Sequence, residues 1–301
     1  MKKNLLLCVL LLGTMTVSCH CTNNDFDEFE GEYHDTSKEI AHQKEDKPEL
    51  IKESVLPDEE IAIPDTSTLS SLEEPELPGL PKMNTIGQVI LLKRKGYTLL
   101  YNTSCLIPIW VFWHLNTEHA DGEWPRDNIY YEDEEVPLPK ASNDDYKGSG
   151  WTHGHMCPAG DNKWDEVAMR ESNLLTNICP QHASLNSGLW NVIERECRKW
   201  ATKYGDLYIV CGPVLLNKEH ETIGKNKIVV PEAFFKVILC LNPKPKAIGF
   251  VIRNNEGTKK RDQYINTVDE VERITGIDFY PALPDDIENV VEANTNIDDW
   301  R

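Results

Sequence analysis

The feature that most limits what this chain can fold into is an acidic, proline-punctuated stretch near its N-terminus. Residues 22–80 contain 18 Asp and Glu against 4 Lys, with prolines recurring along the stretch. Few aromatic residues and much like charge cannot bury enough apolar surface to offset the entropy cost of ordering. We therefore predict that residues 19–80 form an extended, self-repelling tether. A second interpretation, that this acidity labels the protein for surface export, stays open.

The first eighteen residues have the pattern of an export signal. Two lysines precede the apolar run Leu5–Leu12, and a small residue, Ser18, precedes Cys19. The run is shorter than the roughly 18 apolar residues that span a bilayer, which favours a signal peptide over residues 1–18. Ser18-Cys19 resembles a lipoprotein box, although Thr16 stands where an aliphatic residue is usual. We predict export, either as a membrane-anchored lipoprotein at the periplasmic or cell surface, lipidated at Cys19, or as a secreted protein.

The composition of the remaining segment, residues 81–301, argues against two classes of protein. It carries 25 Lys and Arg against 32 Asp and Glu, a net charge of −7, so strong general binding to phosphate backbones is not indicated. Its six cysteines contain no Cys-x-x-Cys pair and do not resemble a disulfide framework. We predict one domain here, with at most one or two disulfides.

Short apolar runs separated by turn signals fill this domain. Val, Ile, Tyr and Phe are frequent in the runs and Gly, Pro, Asn or Asp bound them, which is typical of strands. Leu185–Tyr204 and Val268–Thr275 instead show helical spacing, with Ser184 and Thr267 as predicted N-caps and a glycine after each helix. We predict an α+β fold in which helices pack on a mixed antiparallel sheet. The predicted strands are Val89–Leu92, Thr98–Tyr101, Ile107–His114, Leu207–Leu216, Phe234–Leu241 and Ala247–Ile252.

Residues suited to chemistry concentrate between positions 150 and 198. A segment rich in Gly and Pro holds His153 and His155 around one glycine, where backbone can approach a ligand closely. On the predicted helix that follows, Asn186, Trp190, Glu194 and Arg198 recur every fourth position and share one face. At 1.5 Å per residue, Asn186 and Glu194 are about 12 Å apart along the axis, too far to bind one ion directly. Glu194 would instead orient metal-bound water.

Simpler roles also fit these residues taken singly. The two histidines could be loop residues satisfied by the backbone, and Glu194 could be a solvated helix carboxylate. His153, His155 and Cys157 could bind zinc, although no second pair of ligands follows at finger-like spacing.

As a set, the segments resemble the DNA/RNA non-specific endonuclease family, whose members carry a ββα-metal (His-Me finger) active site. The family signature is Asp-Arg-Gly-His followed by Ala or Cys and Pro, then an Asn-x-x-Pro-Gln segment, then a helix bearing Asn, Trp and Glu. In this chain His155 matches the signature histidine, and residues 177–181, Asn-Ile-Cys-Pro-Gln, match the middle segment. Asn186, Trp190 and Glu194 match the helix, and the resemblance extends over roughly residues 85–285.

The resemblance implies hydrolysis of phosphodiester bonds in DNA and RNA to 5′-phosphate ends. His155 would be the general base that takes a proton from water, for which an unperturbed pKa near 6.5 is suited. Asn186 would supply an amide oxygen to one Mg²⁺, with Mn²⁺ as the alternative ion. The other implied site residues are Arg126, Glu194 and His153 for catalysis and Asn177, Gln181 and Arg198 for substrate binding.

The chain departs from the family pattern directly before the Gly-His pair. Thr152-His153 replaces Asp-Arg, which removes a carboxylate that orients the site and a permanent cation. Thr152 keeps a hydroxyl, and His153 is a cation only when protonated. We expect activity at a reduced level with an altered pH profile. The alternative is a catalytically weakened scaffold that binds nucleic acid or a partner protein at the surface; the oligomeric state is open, with a homodimer as one option.

Overall fold

The computed structural model describes residues 78–83, 88–255 and 260–301. The predicted signal peptide (1–18), the predicted lipidation site Cys19 and all of the predicted tether before residue 78 lie outside the described residues. Export and anchoring therefore stay predictions. Within the described ranges, no helix is both long enough and apolar enough to cross a membrane.

Eleven strands are formed by the described residues, and the six predicted ones are among them with ends that differ by one or two residues. The strands are β1 (Val89–Lys93), β2 (Thr98–Asn102), β3 (Ile107–Leu115), β4 (Thr152–His155), β5 (Ile178–Gln181), β6 (Leu207–Val214), β7 (Thr222–Ile223), β8 (Ile228–Val229), β9 (Ala233–Cys240), β10 (Lys246–Arg253) and β11 (Ile265–Asn266). Seven of them form an antiparallel sheet in the order β1-β2-β3-β6-β9-β10-β11, and β4-β5 and β7-β8 form separate pairs.

Helices cover both faces of the large sheet, which confirms the α+β class. They are α1 (Thr117–Ala120), α2 (Asn143–Tyr146), α3 (Glu166–Ser172), α4 (Ala183–Leu185), α5 (Asn191–Tyr204), α6 (Val268–Thr275) and α7 (Asp285–Ala293). The β4-β5 pair and α5 contribute to the apolar cluster on one face, whereas α6 and α7 contribute to the cluster on the other.

Strand β9 shows how the sequence specifies a sheet covered on both sides. All eight of its residues are buried. Phe234 and Ile238 belong to one apolar cluster, and Phe235 and Val237 belong to the other. A strand with two buried faces needs an unbroken apolar run rather than an alternating one. Lys236 is the one charged residue in the predicted run Phe234–Leu241, and it lies under the site described below.

One of the two predicted helices has the predicted bounds, and the other is divided into separate segments. Helix α6 has the predicted bounds, and the Thr267 side chain accepts the Glu270 backbone N–H as an N-cap, an interaction worth about 1 kcal/mol. The predicted helix Leu185–Tyr204 is instead divided into α4, a widened π turn over Asn186–Trp190, and α5. Gly188 has non-helical angles (φ −97°, ψ −110°) in that turn.

The predicted N-cap Ser184 is wrong. The chain already turns into α4 at Ala183, and His182 is the N-cap, its side chain accepting the Ser184 N–H. The helical pattern ended where expected, because Gly205 follows α5 with φ 89°, a conformation that side chains disfavour.

The six cysteines of the described residues are all free thiols, and five of them are buried. They act as small apolar side chains. Cys179, Cys197, Cys211 and Cys240 pack in the apolar cluster that also contains Trp190.

Candidate active site

Two short antiparallel strands and the helical segment after them form the frame of the site. Gly154 of β4 lies opposite Cys179 of β5. A Cβ at Gly154 would lie 2.5 Å from the Gln181 side chain, so this close approach of the strands requires glycine between the two histidines. Since α4 begins at Ala183, two residues beyond β5, the chain forms a ββα unit.

An open pocket of about 430 Å³ lies where β4 meets the helical segment. Five of the predicted site residues line it together, namely Arg126, His155, Asn186, Glu194 and Arg198. The pocket therefore combines an imidazole, an amide, a carboxyl group and two guanidinium groups.

His155 is oriented by an asparagine that the sequence did not single out. Its Nε2 lies 2.8 Å from Asn173 Oδ1, and Asn173 Nδ2 donates to the backbone carbonyl of Asp127 at 2.9 Å. A carbonyl oxygen can only accept, so the Asn173 amide presents Oδ1 to the ring and His155 Nε2 carries the hydrogen. Nδ1 has no hydrogen-bond partner among the residues described and is the ring atom able to accept a proton.

The protonation of His155 differs from the expectation of an ordinary pKa. The residue is 6% exposed, and burial lowers its pKa to about 4, while the hydrogen bond to Asn173 acts in the opposite direction. Desolvation disfavours the charged imidazolium. His155 is therefore neutral at neutral pH, the form that a general base requires.

His153, the second predicted catalytic histidine, is not among the residues that line the pocket. Its ring is stacked between Tyr130 and Tyr146, with centroid distances of 4.1 and 3.9 Å. Burial lowers its pKa to about 4, so it is uncharged at neutral pH and does not replace the cation of the family's Asp-Arg pair. This placement indicates a packing role and gives no support to a catalytic one.

The zinc alternative is not supported either. Within the described part of the chain, His153, His155 and Cys157 do not bring their ligating atoms together. Cys157 is fully buried, and its backbone N–H and carbonyl are bonded to Asn177.

Asn186 has a fixed amide orientation. Its Nδ2 donates to Thr152 Oγ1 at 3.0 Å and to the backbone carbonyl of His153 at 3.1 Å. The Thr152 hydroxyl in turn donates to the backbone carbonyl of Gln181 at 2.8 Å. With both amide hydrogens used, Asn186 Oδ1 remains as a free acceptor, without a hydrogen-bond partner among the described residues. Thr152 thus orients Asn186, and the alternative of a scaffold degraded at Thr152-His153 gains no support.

Glu194 lines the pocket and interacts electrostatically with the buried Lys236. Burial raises the pKa of the half-buried Glu194 to about 7, and the Lys236 charge opposes this rise. Lys236 is fully buried, and its Nζ lies 4.8 Å from the Trp113 ring centroid and 4.9 Å from that of Trp190. Cation–π contacts therefore replace hydrogen bonds around this ammonium group. Its positive charge favours the ionised form of Glu194.

Two arginines supply positive charge in a domain that is acidic as a whole. Arg198 Nη1 lies 2.7 Å from Oδ1 of the buried Asp161, and Trp113 Nε1 donates to Asp161 Oδ2 at 3.1 Å. Arg126 is exposed at the pocket. Guanidinium groups can bind phosphate through paired hydrogen bonds, so these two arginines are groups of the pocket able to contact a phosphate locally.

Asn177 and Gln181, predicted to contact substrate, lie inside the protein and do not line the pocket. Asn177 Oδ1 accepts the Cys157 N–H at 3.0 Å, and its Nδ2 donates to the carbonyls of Cys157 and Ser172 at 2.9 and 2.8 Å. The Gln181 side chain is fully buried against Gly154. These contacts indicate that both residues hold the β4-β5 unit together, and their predicted substrate contacts receive no support.

Three residues of the site escaped the sequence analysis: Asn173, Asp161 and Lys236. Lys236 carried a signal, since a lone charge in an unbroken apolar run requires a special environment. Asp161 ends the Gly- and Pro-rich segment and could have been paired with Arg198. Asn173 carried no local signal, because only the fold brings the end of α3 to His155.

The contact between Asn173 and His155 makes a first testable prediction. Asn173→Ala should lower kcat about 10–100-fold with little change in KM, because the base loses the acceptor that fixes its tautomer. Asn173→Asp keeps an acceptor oxygen and should retain more activity. Its carboxylate favours the imidazolium, so the acid limb of the pH–rate profile should move to higher pH. Equal rates and equal profiles in the two variants would contradict the role assigned to Asn173.

The fold and the pocket define a ββα-metal nuclease architecture. A family model described as DNA/RNA non-specific endonuclease matches residues 80–286. The chain belongs to this family.

The curated relatives extend beyond the part that this chain matches. Nuclease EXOG, mitochondrial, of Homo sapiens is 32% identical over 220 residues, which are 66% of this chain and 60% of that protein. The Xenopus laevis protein of the same name is 35% identical over 208 residues, 64% of this chain and 58% of that protein. This chain thus spans less than two thirds of the length of these two relatives. Endonuclease G, mitochondrial, of Homo sapiens is 28% identical over 219 residues, 68% of this chain and 74% of that protein.

A solved structure shares the fold. The matching chain in the crystal structure of the EndoG/EndoGI complex has a TM-score of 0.63 and 27% identity, and the match covers 70% of this chain and 91% of that one.

Proposed function

We propose that this protein is a divalent-metal-dependent endonuclease that hydrolyses phosphodiester bonds of DNA and RNA without sequence specificity and leaves 5′-phosphate ends. The observation that carries the proposal is the pocket in which a neutral histidine with a free Nδ1, a free amide oxygen and two arginines face the same space. Family membership supports the same reaction class.

The donor set of the pocket fits a hard cation. Asn186 offers an amide oxygen whose orientation is fixed by two hydrogen bonds, and Glu194 offers a carboxyl group. Mg²⁺ prefers oxygen ligands and keeps several of its waters. One protein amide oxygen as a direct ligand, with a carboxylate that contacts the ion's water, is therefore a suitable arrangement for it. Asn186 would hold the ion and Glu194 would orient its water; Mn²⁺ is the alternative. When bound, the ion supplies charge stabilisation at the phosphate and the departing 3′ oxygen.

Side chains of the pocket would carry out proton transfer and phosphate binding. His155 Nδ1 accepts the proton of the attacking water, while the Nε2–H bond to Asn173 keeps the ring in the productive tautomer. Arg126 and Arg198 bind the phosphate and stabilise its developing charge. The roles proposed for these residues all act on the phosphate backbone rather than on the bases, which is consistent with cleavage that ignores sequence.

A direct assay tests the proposal. The full-length chain is incubated with supercoiled plasmid and with single-stranded RNA in Mg²⁺, in Mn²⁺ and in EDTA. We expect cleavage of both polymers with either ion and none in EDTA, and products whose 5′ ends are ligated without kinase treatment. Absence of cleavage in either ion would overturn the proposal, and products that need kinase treatment would overturn the assignment of the ends.

The raised pKa of Glu194 predicts pH-dependent metal binding. Below pH 7 this carboxyl group is mostly protonated, whereas the ionised form above pH 7 attracts the cation and accepts hydrogen bonds from its water. The apparent affinity for Mg²⁺ should therefore rise about tenfold between pH 6 and pH 8 and level off above. Glu194→Gln should remove this dependence, whereas Glu196→Gln, on the same helix but outside the pocket lining, should keep it. Mg²⁺ titrations of the cleavage rate across this range check the prediction, and equal slopes in the two variants would contradict it.

We also propose that the protein works outside the cytosol, anchored to a membrane through Cys19. The support is the sequence pattern of residues 1–19. Fractionation of cells with labelled wild type and Cys19→Ala tests it: the wild type should be membrane-bound and the variant released. A wild type found in the cytosol would overturn export.

A further inference from the structure

Three carboxyl groups converge on the sheet face opposite the pocket. They belong to Asp269 and Glu272 of α6 and to Glu292 of α7, and one oxygen of each lies within 4.8 Å of the others. Asp269 is exposed, Glu272 is half-buried and Glu292 is buried, so the cluster runs from solvent into the protein. An ion could therefore reach it without opening the fold.

Glu292 is the member that needs an explanation. It is 7% exposed, and its Oε1 is buried without a hydrogen-bond partner in the described structure. A buried carboxylate without a partner is costly, and native proteins satisfy such groups with a hydrogen bond, an opposite charge or an ion. Neither of the first two is supplied here by the protein residues described.

The surroundings add negative charge rather than remove it. None of the ion pairs formed by described residues includes Asp269, Glu272 or Glu292; Arg273, the basic residue of α6, lies 2.7 Å from Glu270 instead. Asp278 and Glu288 also repel the ionised form of Glu292. Lys82 is the cation that acts on these two neighbours.

Two carboxyl groups of the cluster, those of Glu292 and Glu272, have raised pKa values. Burial, followed by repulsion among neighbouring carboxylates, raises the pKa of Glu292 to about 8. Burial also raises the pKa of Glu272 to about 7, against the hydrogen bond from the Phe279 backbone N–H.

We propose that Asp269, Glu272 and Glu292 form a binding site for a divalent cation, best suited to Ca²⁺, which joins α7 to α6. An all-oxygen set without His or Cys selects hard cations. Ca²⁺ accepts six to eight oxygens in irregular geometry, so three carboxylates completed by water suffice, whereas Mg²⁺ demands a near-ideal octahedron. The site is structural, and it lies on the other side of the sheet from His155 and Asn186.

Thermal unfolding of the full-length chain at pH 8 tests this site separately from nuclease activity. Saturating Ca²⁺ should raise the Tm of the wild type by about 5 °C, because the ion binds only the folded state. Glu292→Gln removes one charge at nearly equal volume, so it should fold with a Tm at least equal to that of the metal-free wild type and lose most of the Ca²⁺ shift. Asp286→Asn, an exposed change on the same helix, should keep the full shift.

A second variant, Glu272→Gln, and a calorimetric titration with Ca²⁺ complete this test. Ca²⁺ that binds in the pocket raises Tm equally in all variants, so the difference between Glu292→Gln and Asp286→Asn reports the new site alone. If Glu292→Gln does not fold, Glu272→Gln replaces it with the same expectation. Calorimetric titration with Ca²⁺ should show one site fewer in either Gln variant than in the wild type. An equal Tm shift in all variants, or the same number of sites, would overturn the proposal and show that protons neutralise Glu292.

Discussion

Replacing His155 by Ala should lower the cleavage rate by about 10²–10⁴-fold, which corresponds to roughly 3–5 kcal/mol of the activation barrier. His155 lines the pocket with Nδ1 free and Nε2 bonded to Asn173. Its position and its neutral form, with the hydrogen on Nε2, are those that a general base requires. In the proposed mechanism the arginines bind the substrate, so its binding should change little. The loss should therefore appear in kcat, measured on plasmid DNA in saturating Mg²⁺.

A control substitution at His153 distinguishes the roles of the two histidines. His153→Phe preserves an aromatic ring between Tyr130 and Tyr146 but removes both ring nitrogens, so the side chain can neither bind nor release a proton. We expect less than about fivefold loss, because the native ring is neutral and phenylalanine keeps the stacking with both tyrosines. If His153→Phe were as damaging as His155→Ala, the assignment of a single base would be wrong.

Replacing Asn186 by Ala should have an effect of comparable size, about 10³-fold at millimolar Mg²⁺, because the ion contributes several kcal/mol of charge stabilisation. Asn186 Oδ1 is an amide oxygen of the pocket without a hydrogen-bond partner among the described residues, and alanine removes it. The rate should recover in part at high Mg²⁺ or Mn²⁺ concentration, since water can take the vacant ligand position. A titration of the rate with each ion measures this shift.

The neighbouring Ser187 provides the control for Asn186. Its hydroxyl donates to the Ala183 carbonyl within the helix at 2.8 Å, and it also lines the pocket. Ser187→Ala should change neither kcat nor the Mg²⁺ dependence by more than about twofold. Asn186→Ala with an unchanged Mg²⁺ dependence would show that the ion is held elsewhere.

The departure at Thr152-His153 has a clearer meaning in three dimensions than in the sequence. Thr152 accepts from Asn186 and donates to Gln181, so a hydroxyl takes over the task of orienting the amide. His153 provides no charge, and Arg198, held by Asp161 at 2.7 Å, lines the pocket as a cation instead.

The sequence by itself determined the class of fold and the identity of the family. Six of the eleven described strands and α6 followed from local patterns, because apolar runs bounded by turn residues and a capped helix of eight residues need no distant partner to be recognised. His155, Asn186 and Glu194 were identified through the resemblance of one short stretch of chain to the family's motifs. A short stretch was sufficient there because a ββα unit is built from consecutive elements.

Tertiary structure alone decided which residues share the pocket and in what protonation state. Asn173 and Arg126 reach His155 from separate segments, and no periodicity relates them to it. The neutral His155, the half-protonated Glu194 and the unpaired Lys236 result from burial, which depends on everything packed around a side chain and not on its neighbours in sequence. For the same reason the convergence of Glu292 with Asp269 and Glu272 could be seen only once α7 was packed against α6.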